Sequence, residues 1–357
     1  MNFSDKDYTF IDYLFAMTDD TGIFQHSIYG IPNPRHGYTT DDNARALILA
    51  VLLLEKFKDK KYLKLVYNYM EFLLYAQNDN GMFKYFMGYN KEFLEEEGSE
   101  DSFGRSLVAL CRTSSSKAIP ENIKKTCQYI IDKSLVQLPK LKYPRPKAYA
   151  IIGLSCLPES SKTSEYVELL SNDLADMYRK NKDDKWHWFE NIITYGNSYF
   201  PRALMIAYKM LKKDELLKIA EESMDFLSSI TLKEKYFKPI GCDGWYKKGK
   251  KAAEFDEQPI EACEAMLLYL DSYDITKDKK YLDYAVKCYN WYTGVNSAGV
   301  SLIDSETGAC YDGICPDGLN LNQGSESIIS YGTAFMEISK RVKLITKSGH
   351  WIKKDLY

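Results

Sequence analysis

Histidine is scarce in this chain: four residues in 357, none in an HExxH pattern. A transition-metal enzyme is therefore poorly supported, and neither a metal nor another cofactor is expected. The eight cysteines at 111, 127, 156, 242, 263, 288, 310 and 315 form no CxxC pair. Several fall on apolar helical faces, so they read as buried free thiols in a reducing cytosol rather than as disulfides or zinc ligands. No run reaches the roughly 18 apolar residues of a membrane span. The opening MNFSDKDYTF has no basic segment followed by an apolar one, so no secretory signal is expected and the location is read as cytoplasmic. Without such a signal the Asn2-Phe3-Ser4 sequon carries little meaning. There is no basic stripe, and the net charge of −3 argues against a nucleic-acid partner. Walker, GxGxxG and GxSxG patterns are also missing. No linker rich in Pro, Gly or Ser interrupts the chain, so residues 1–357 are read as one domain.

What is present is helical periodicity. The segments 7–17, 62–77, 122–138, 216–230 and 281–295 repeat apolar residues at three- and four-residue steps and keep charges on one face. A second set, 44–57, 104–112, 147–157, 200–211, 260–273 and 325–339, is apolar nearly all round, as buried helices are. The two sets alternate, and the starts of the buried set recur at intervals of roughly 45 to 70 residues, a repeat architecture. Connecting loops echo one another: Asp19 to Phe24, Asn78 to Phe83 and Cys242 to Tyr246 each place Asp or Asn and Gly before an aromatic, and Asp183 to Phe189 is a variant without Gly. Six helix pairs close most simply into an all-α (α/α)6 toroid; an open superhelix is the competitor.

In a toroid the six buried helices run in one direction, so their N-termini share one rim. Asp41 and Asp42 stand at the first start. The others carry Glu100, Asp101 and Arg105; Pro144 to Pro146; Glu190, Asn191 and Asn197; Asp256, Glu257 and Gln258; and Asn322, Gln323 and Glu326. One acid at a helix start is a dipole or capping device. Thr39 and Thr40 already offer a hydroxyl cap, so both aspartates are not needed for that. Carboxylates converging from several helices repel unless they serve a ligand. They are interleaved with aromatics, densest in Trp186-His187-Trp188-Phe189-Glu190-Asn191, and tyrosine is abundant at 29 residues. Flat apolar faces beside directional polar groups suit a sugar. Cleaving a glycosidic bond takes two carboxyl groups, one protonated and one ionised. His36 and His187 are further sugar contacts on this reading; His350, in the tail, reads as solvated.

The segments HGYTTDDNARAL, EDSFGR, WHWFEN with YGNSYFPRAL, EFDEQPIEA and YDGICPDGLNLNQGSES span residues 36 to 327. In this order they resemble the six-hairpin (α/α)6 glycosidase-like proteins, in particular a bacterial and archaeal group often fused to a glycosyltransferase domain. The resemblance implies a carbohydrate-active protein acting on an oligosaccharide, mannose-containing among the candidates, with a functional link to a glycosyltransferase. A glycoside hydrolase is the leading reading. A sugar phosphorylase, or an epimerase, which usually needs His as acid or base, is the alternative on the same fold. A non-catalytic glycan-binding module is the third.

The catalytic candidates are Asp42, Asp101, Asp256, Glu257 and Glu326. Substrate contacts are expected from His36, Asp41, Arg45, Glu100, Arg105, Trp186, His187, Trp188, Glu190, Asn191, Asn197, Gln258, Asp312, Asn322 and Gln323. Neighbours on a helix point about 100° apart, so one of Asp41 and Asp42 should face substrate and the other should anchor a loop or an Arg. Phe255 beside Asp256 suggests a carboxyl with a raised pKa; Glu257, nearer the helix dipole, should ionise more easily.

Overall fold

The computed structural model describes residues 8–341 and Ile345; His350 and the Asn2 sequon lie outside the described residues. The described residues contain twelve α-helices: α1 (Phe10–Ala16), α2 (Thr40–Phe57), α3 (Lys60–Ala76), α4 (Glu100–Ser115), α5 (Glu121–Leu135), α6 (Pro144–Leu154), α7 (Ser161–Asn181), α8 (Tyr199–Leu211), α9 (Asp214–Thr231), α10 (Pro259–Thr276), α11 (Lys280–Tyr292) and α12 (Ser325–Lys340). The even-numbered helices form the inner ring. Each packs on the next, and α12 packs on α2, which closes the circle and rules out the open superhelix. The odd-numbered helices back them, with α1 lying against α12. The fold is the all-α (α/α)6 toroid.

Local signals start the inner helices in register. The Thr39 hydroxyl accepts the Asp42 N–H at 3.1 Å, and the Ser99 hydroxyl accepts the Ser102 N–H at 3.2 Å. Pro144 and Pro259 open α6 and α10, where a missing N–H costs nothing. The longest helix, α7, was implied by the pairing but not picked out as a periodic segment; its mean character is polar, with one buried stripe through Val167, Leu170 and Leu174. Where two inner helices come closest, glycine makes room. A Cβ on Gly104 of α4 would stand 2.9 Å from Tyr149 Cβ and 3.0 Å from Pro146 Cα of α6, and one on Gly153 of α6 would stand 3.1 Å from Val108 Cα.

Along the barrel axis, Ile48, Leu52, Val108, Ile152 and Leu267 form an apolar layer around an internal space of about 120 Å³. Below it, Arg202 pairs with Asp271 at 2.6 Å and Arg112 lies 3.6 Å from Glu337. Above it is the rim of inner-helix N-termini. There, four two-stranded antiparallel ribbons stitch the loops: β1 (Ser27–Ile28) with β2 (Ile31–Pro32), β3 (Tyr38–Thr39) with β4 (Phe86–Met87), β5 (Ile192–Ile193) with β6 (Tyr246–Lys247), and β7 (Gly313–Cys315) with β8 (Gly318–Asn320). Two of the four, β3–β4 and β5–β6, join loops from different hairpins.

Candidate active site

Asp41 and Asp42 turn to different partners, as their spacing on α2 requires. Asp42 is buried and held at both oxygens: Thr39 Oγ1 donates to Oδ2 at 2.6 Å and Arg45 Nη2 donates to Oδ1 at 2.7 Å. Arg45 Nη1 reaches across to Glu326 Oε2 of α12 at 2.8 Å. Asp41 Oδ2 lies 3.3 Å from Arg105 Nε, while its Oδ1 has no hydrogen-bond partner among the described residues. Burial pushes the Asp41 carboxyl up to about 6, against the pull of Arg105 and Arg45. The geometry thus tells the two acids apart. Asp42 is the anchor, and Asp41 is the free group.

A cavity of about 240 Å³ opens beside them, lined by Asp41, Asp42, Arg45, Tyr85, Gln258 and Glu326, with His26, Asp312 and Ser327 on its far wall. Asp312 organises that wall by accepting from Gly324 N at 2.7 Å and from the Ser327 hydroxyl and the Asn322 amide at 2.5 Å each. Asn322 also bonds His26 Nδ1 at 3.2 Å, and the His26 and His36 rings meet edge to face at 4.9 Å.

Two glutamates unforeseen in the sequence stand under the rim. Arg105 lies between Asp41 and Glu264, with Nη1 3.7 Å from Glu264 Oε1 and the guanidinium 4.9 Å from the Tyr149 ring centre. Neither oxygen of Glu264 has a hydrogen-bond partner among the described residues. Burial, reinforced by the charge of Glu261, pushes the Glu264 carboxyl up to about 8. Glu261, one turn earlier on α10, accepts from Gly196 N at 2.7 Å and Asn197 Nδ2 at 3.0 Å and so fixes the loop into α8; burial raises its pKa. The available signal was two acids three residues apart inside an otherwise apolar segment, 260–273, where a solvated face cannot account for them.

Further round the rim, Tyr195 donates its hydroxyl to Asp101 Oδ2 at 2.6 Å. Arg145 stacks 4.6 Å from the Tyr195 ring centre and pairs with Glu190 at 2.9 Å. Asp41, Asp42, Arg45, Asp101, Arg105, Glu190, Asn197, Gln258, Asp312, Asn322 and Glu326 thus belong to the rim or its supports.

Other expected site residues have different surroundings. Glu257 is fully buried, with Trp291 Nε1 donating to it at 2.8 Å and Ser297 donating to its other oxygen. Its pKa is raised by burial, the reverse of the expected easy ionisation, because desolvation outweighs the helix dipole here. Asp256, in the loop before α10, lies beside Cys315 of β7, and burial together with this neighbour pushes the Cys315 thiol up to about 11. Glu100 accepts from the N–H groups of Lys142 and Tyr143 at 2.9 and 3.1 Å and clamps the entry to α6. Trp186 and Trp188 are core residues, 2% and 0% exposed, packed around Phe226 and Phe200, so neither ring offers a face to a ligand. His187 leans on Phe226 beside them. Asn191 is exposed and uses its carbonyl to accept from Lys248 N, while Gln323 is buried and donates to Asp304 at 3.1 Å. His36 is exposed beside His26.

Among the described residues no cluster of three or more His, Cys, Asp or Glu is arranged to hold a metal ion, and no helix is long and apolar enough to cross a membrane. The eight cysteines form no disulfide.

No family model matches the chain, and no curated protein sequence matches it. Solved structures do. A sugar epimerase from a ruminal bacterium is similar at 13% identity and TM-score 0.73, covering 93% of this chain and 96% of its own. A D-mannose isomerase is similar at 12% identity and TM-score 0.70, covering 94% and 96%. An α-mannanase of glycoside hydrolase family 76 from Bacteroides thetaiotaomicron is similar at 11% identity and TM-score 0.63, covering 96% and 98%. By fold, the chain is an (α/α)6 toroid of six helical hairpins, the architecture it shares with these structures.

Proposed function

We propose that this protein is a carbohydrate-active enzyme, a glycoside hydrolase acting on an oligosaccharide, with Asp41 as general acid and Glu326 as the second carboxylate. One observation carries the assignment. Asp41 lines the rim cavity and has a raised pKa and one buried oxygen without a hydrogen-bond partner among the described residues, while Asp42 and Glu326 are both ion-paired to Arg45. A carboxyl with a raised pKa beside an ion-paired carboxylate fits the division of labour glycosidic cleavage uses. Asp41 gives its proton to the glycosidic oxygen as the bond to the anomeric carbon breaks. Water supplies the new hydroxyl with the help of Glu326, and the proton lost from water restores the starting state. The fold, shared with an α-mannanase and a cellulase, supports the substrate class. The functional link to a glycosyltransferase stays part of the proposal and rests on the sequence resemblance.

Asp41→Asn should lower kcat by about 10²–10⁴-fold, the usual loss for a general acid, with little change in KM. A variant that keeps more than half of wild-type kcat would remove Asp41 from the mechanism. Since the acid must be protonated, kcat/KM should also fall as pH rises through about 6.

A second reading, a sugar epimerase or isomerase, draws on His26, which lines the same cavity beside His36. Its proton transfer would run through an imidazole rather than through Asp41, so His26→Gln would then be the inactive variant.

A further inference from the structure

Trp186 and Trp188 are lost to the core, yet the rim still presents aromatic faces, in loops that the sequence marks without assigning their rings to a ligand. Antiparallel pairing of β5 with β6 sets Ile193 opposite Tyr246. The pairing carries Tyr195, just after β5, next to Trp245, just before β6. Their ring centres lie 6.4 Å apart at 51°. Tyr195 is 40% exposed, and Trp245 is half-buried. Beneath the ribbon Tyr246 packs on Trp186 at 5.1 Å, so the support is rigid.

Trp245 holds φ at +57°, a conformation bulky side chains rarely adopt. Its backbone is fixed there by bonds to Gly241 O at 3.2 Å and from Ala253 N at 2.9 Å. Strain of this kind persists only where the surroundings enforce it, and it clusters at ligand sites. The platform is also wired to the acids. Tyr195 bonds Asp101, and Asp101 lies one turn ahead of Arg105 on α4, whose guanidinium contacts Asp41.

We propose that Trp245 and Tyr195 form a sugar-stacking subsite next to the one served by Asp41, so that the preferred substrate is an oligosaccharide reaching past Asp101 rather than a single sugar. This rests on the carbohydrate reading of the site. The Trp245 ring offers the C–H face of a pyranose an apolar plane, and Asp101, bonded to the Tyr195 hydroxyl, offers the sugar hydroxyls an acceptor.

The test separates this subsite from the hydrolase assignment by measuring binding without turnover. Asp41→Asn protein, alone and with Trp245→Gly added, is titrated calorimetrically with neutral gluco- and manno-oligosaccharides of one to four units. Glycine suits the positive φ at 245, so the loop keeps its shape. Loss of the ring should weaken binding of the longer sugars by about tenfold, the upper scale of one aromatic contact, and leave the monosaccharide unchanged. Equal affinities with and without the ring, a loss that is the same for every length, or no sugar binding at all would overturn the subsite. Length-dependent binding through Trp245 in a wild-type protein that cleaves none of these sugars would uphold the subsite and sink the hydrolase reading.

Discussion

Arg45 decides how the two aspartates differ. It takes Asp42 and Glu326 as partners and leaves Asp41 to the longer contact with Arg105. Asp42→Asn should therefore destabilise the fold by about 2 kcal/mol, the scale of a hydrogen bond to a charged group, in urea unfolding. Stability unchanged in Asp42→Asn, with activity lost, would return the catalytic role to Asp42. Glu264 makes a different test. Its carboxyl is pushed from its ordinary 4.5 to about 8 when folded, so between those values the folded protein holds a proton that the unfolded chain has released. Stability then falls as pH rises through that window. Glu264→Gln has no such proton to hold. Its melting temperature should gain on the wild type as pH goes from 4.5 to 8, and a constant difference would show that Glu264 ionises normally. The acids at helix starts were legible because loops and first turns are where solvated side chains sit. Glu261 and Glu264 were passed over because they lie within an apolar segment read as core. Trp186 and Trp188 were misplaced for the converse reason: dense aromatics mark cores and sugar sites alike, and only burial tells them apart.

At the level of elements, the inner ring depends on close helix approaches as much as on apolar faces. Gly104 sits where α4 meets Tyr149 and the backbone of α6. Gly104→Ala should cost about 1–3 kcal/mol through overpacking, read by thermal or denaturant unfolding. It should also disturb Arg105 next door; a variant as stable as the wild type would mean that α6 can give way freely. The helices were legible because a period of 3.6 persists over three or four turns. The ribbons were not, since two-residue strands carry no period, and their pairing is set by loops distant in sequence. The aromatic platform therefore emerged only from the register of β5 with β6.

Over the whole molecule, closure by α12 against α2 brings residues 41 and 326 to one cavity although nearly the whole chain separates them. Beneath the rim an apolar layer of Ile48, Leu52, Val108, Ile152 and Leu267 lines the space between the inner helices. The six-fold repeat made this architecture legible, whereas the choice among chemistries that share it depends on which proton moves. That choice is open to one measurement: NMR analysis of the purified protein incubated in D2O with a panel of oligosaccharides, with and without phosphate. Hydrolysis gives new reducing ends at the same rate in both buffers, with no deuterium entering the sugar carbons. Deuterium at C2 of an uncleaved sugar, or cleavage that requires phosphate, would contradict the assignment of Asp41 and Glu326 to glycoside hydrolysis.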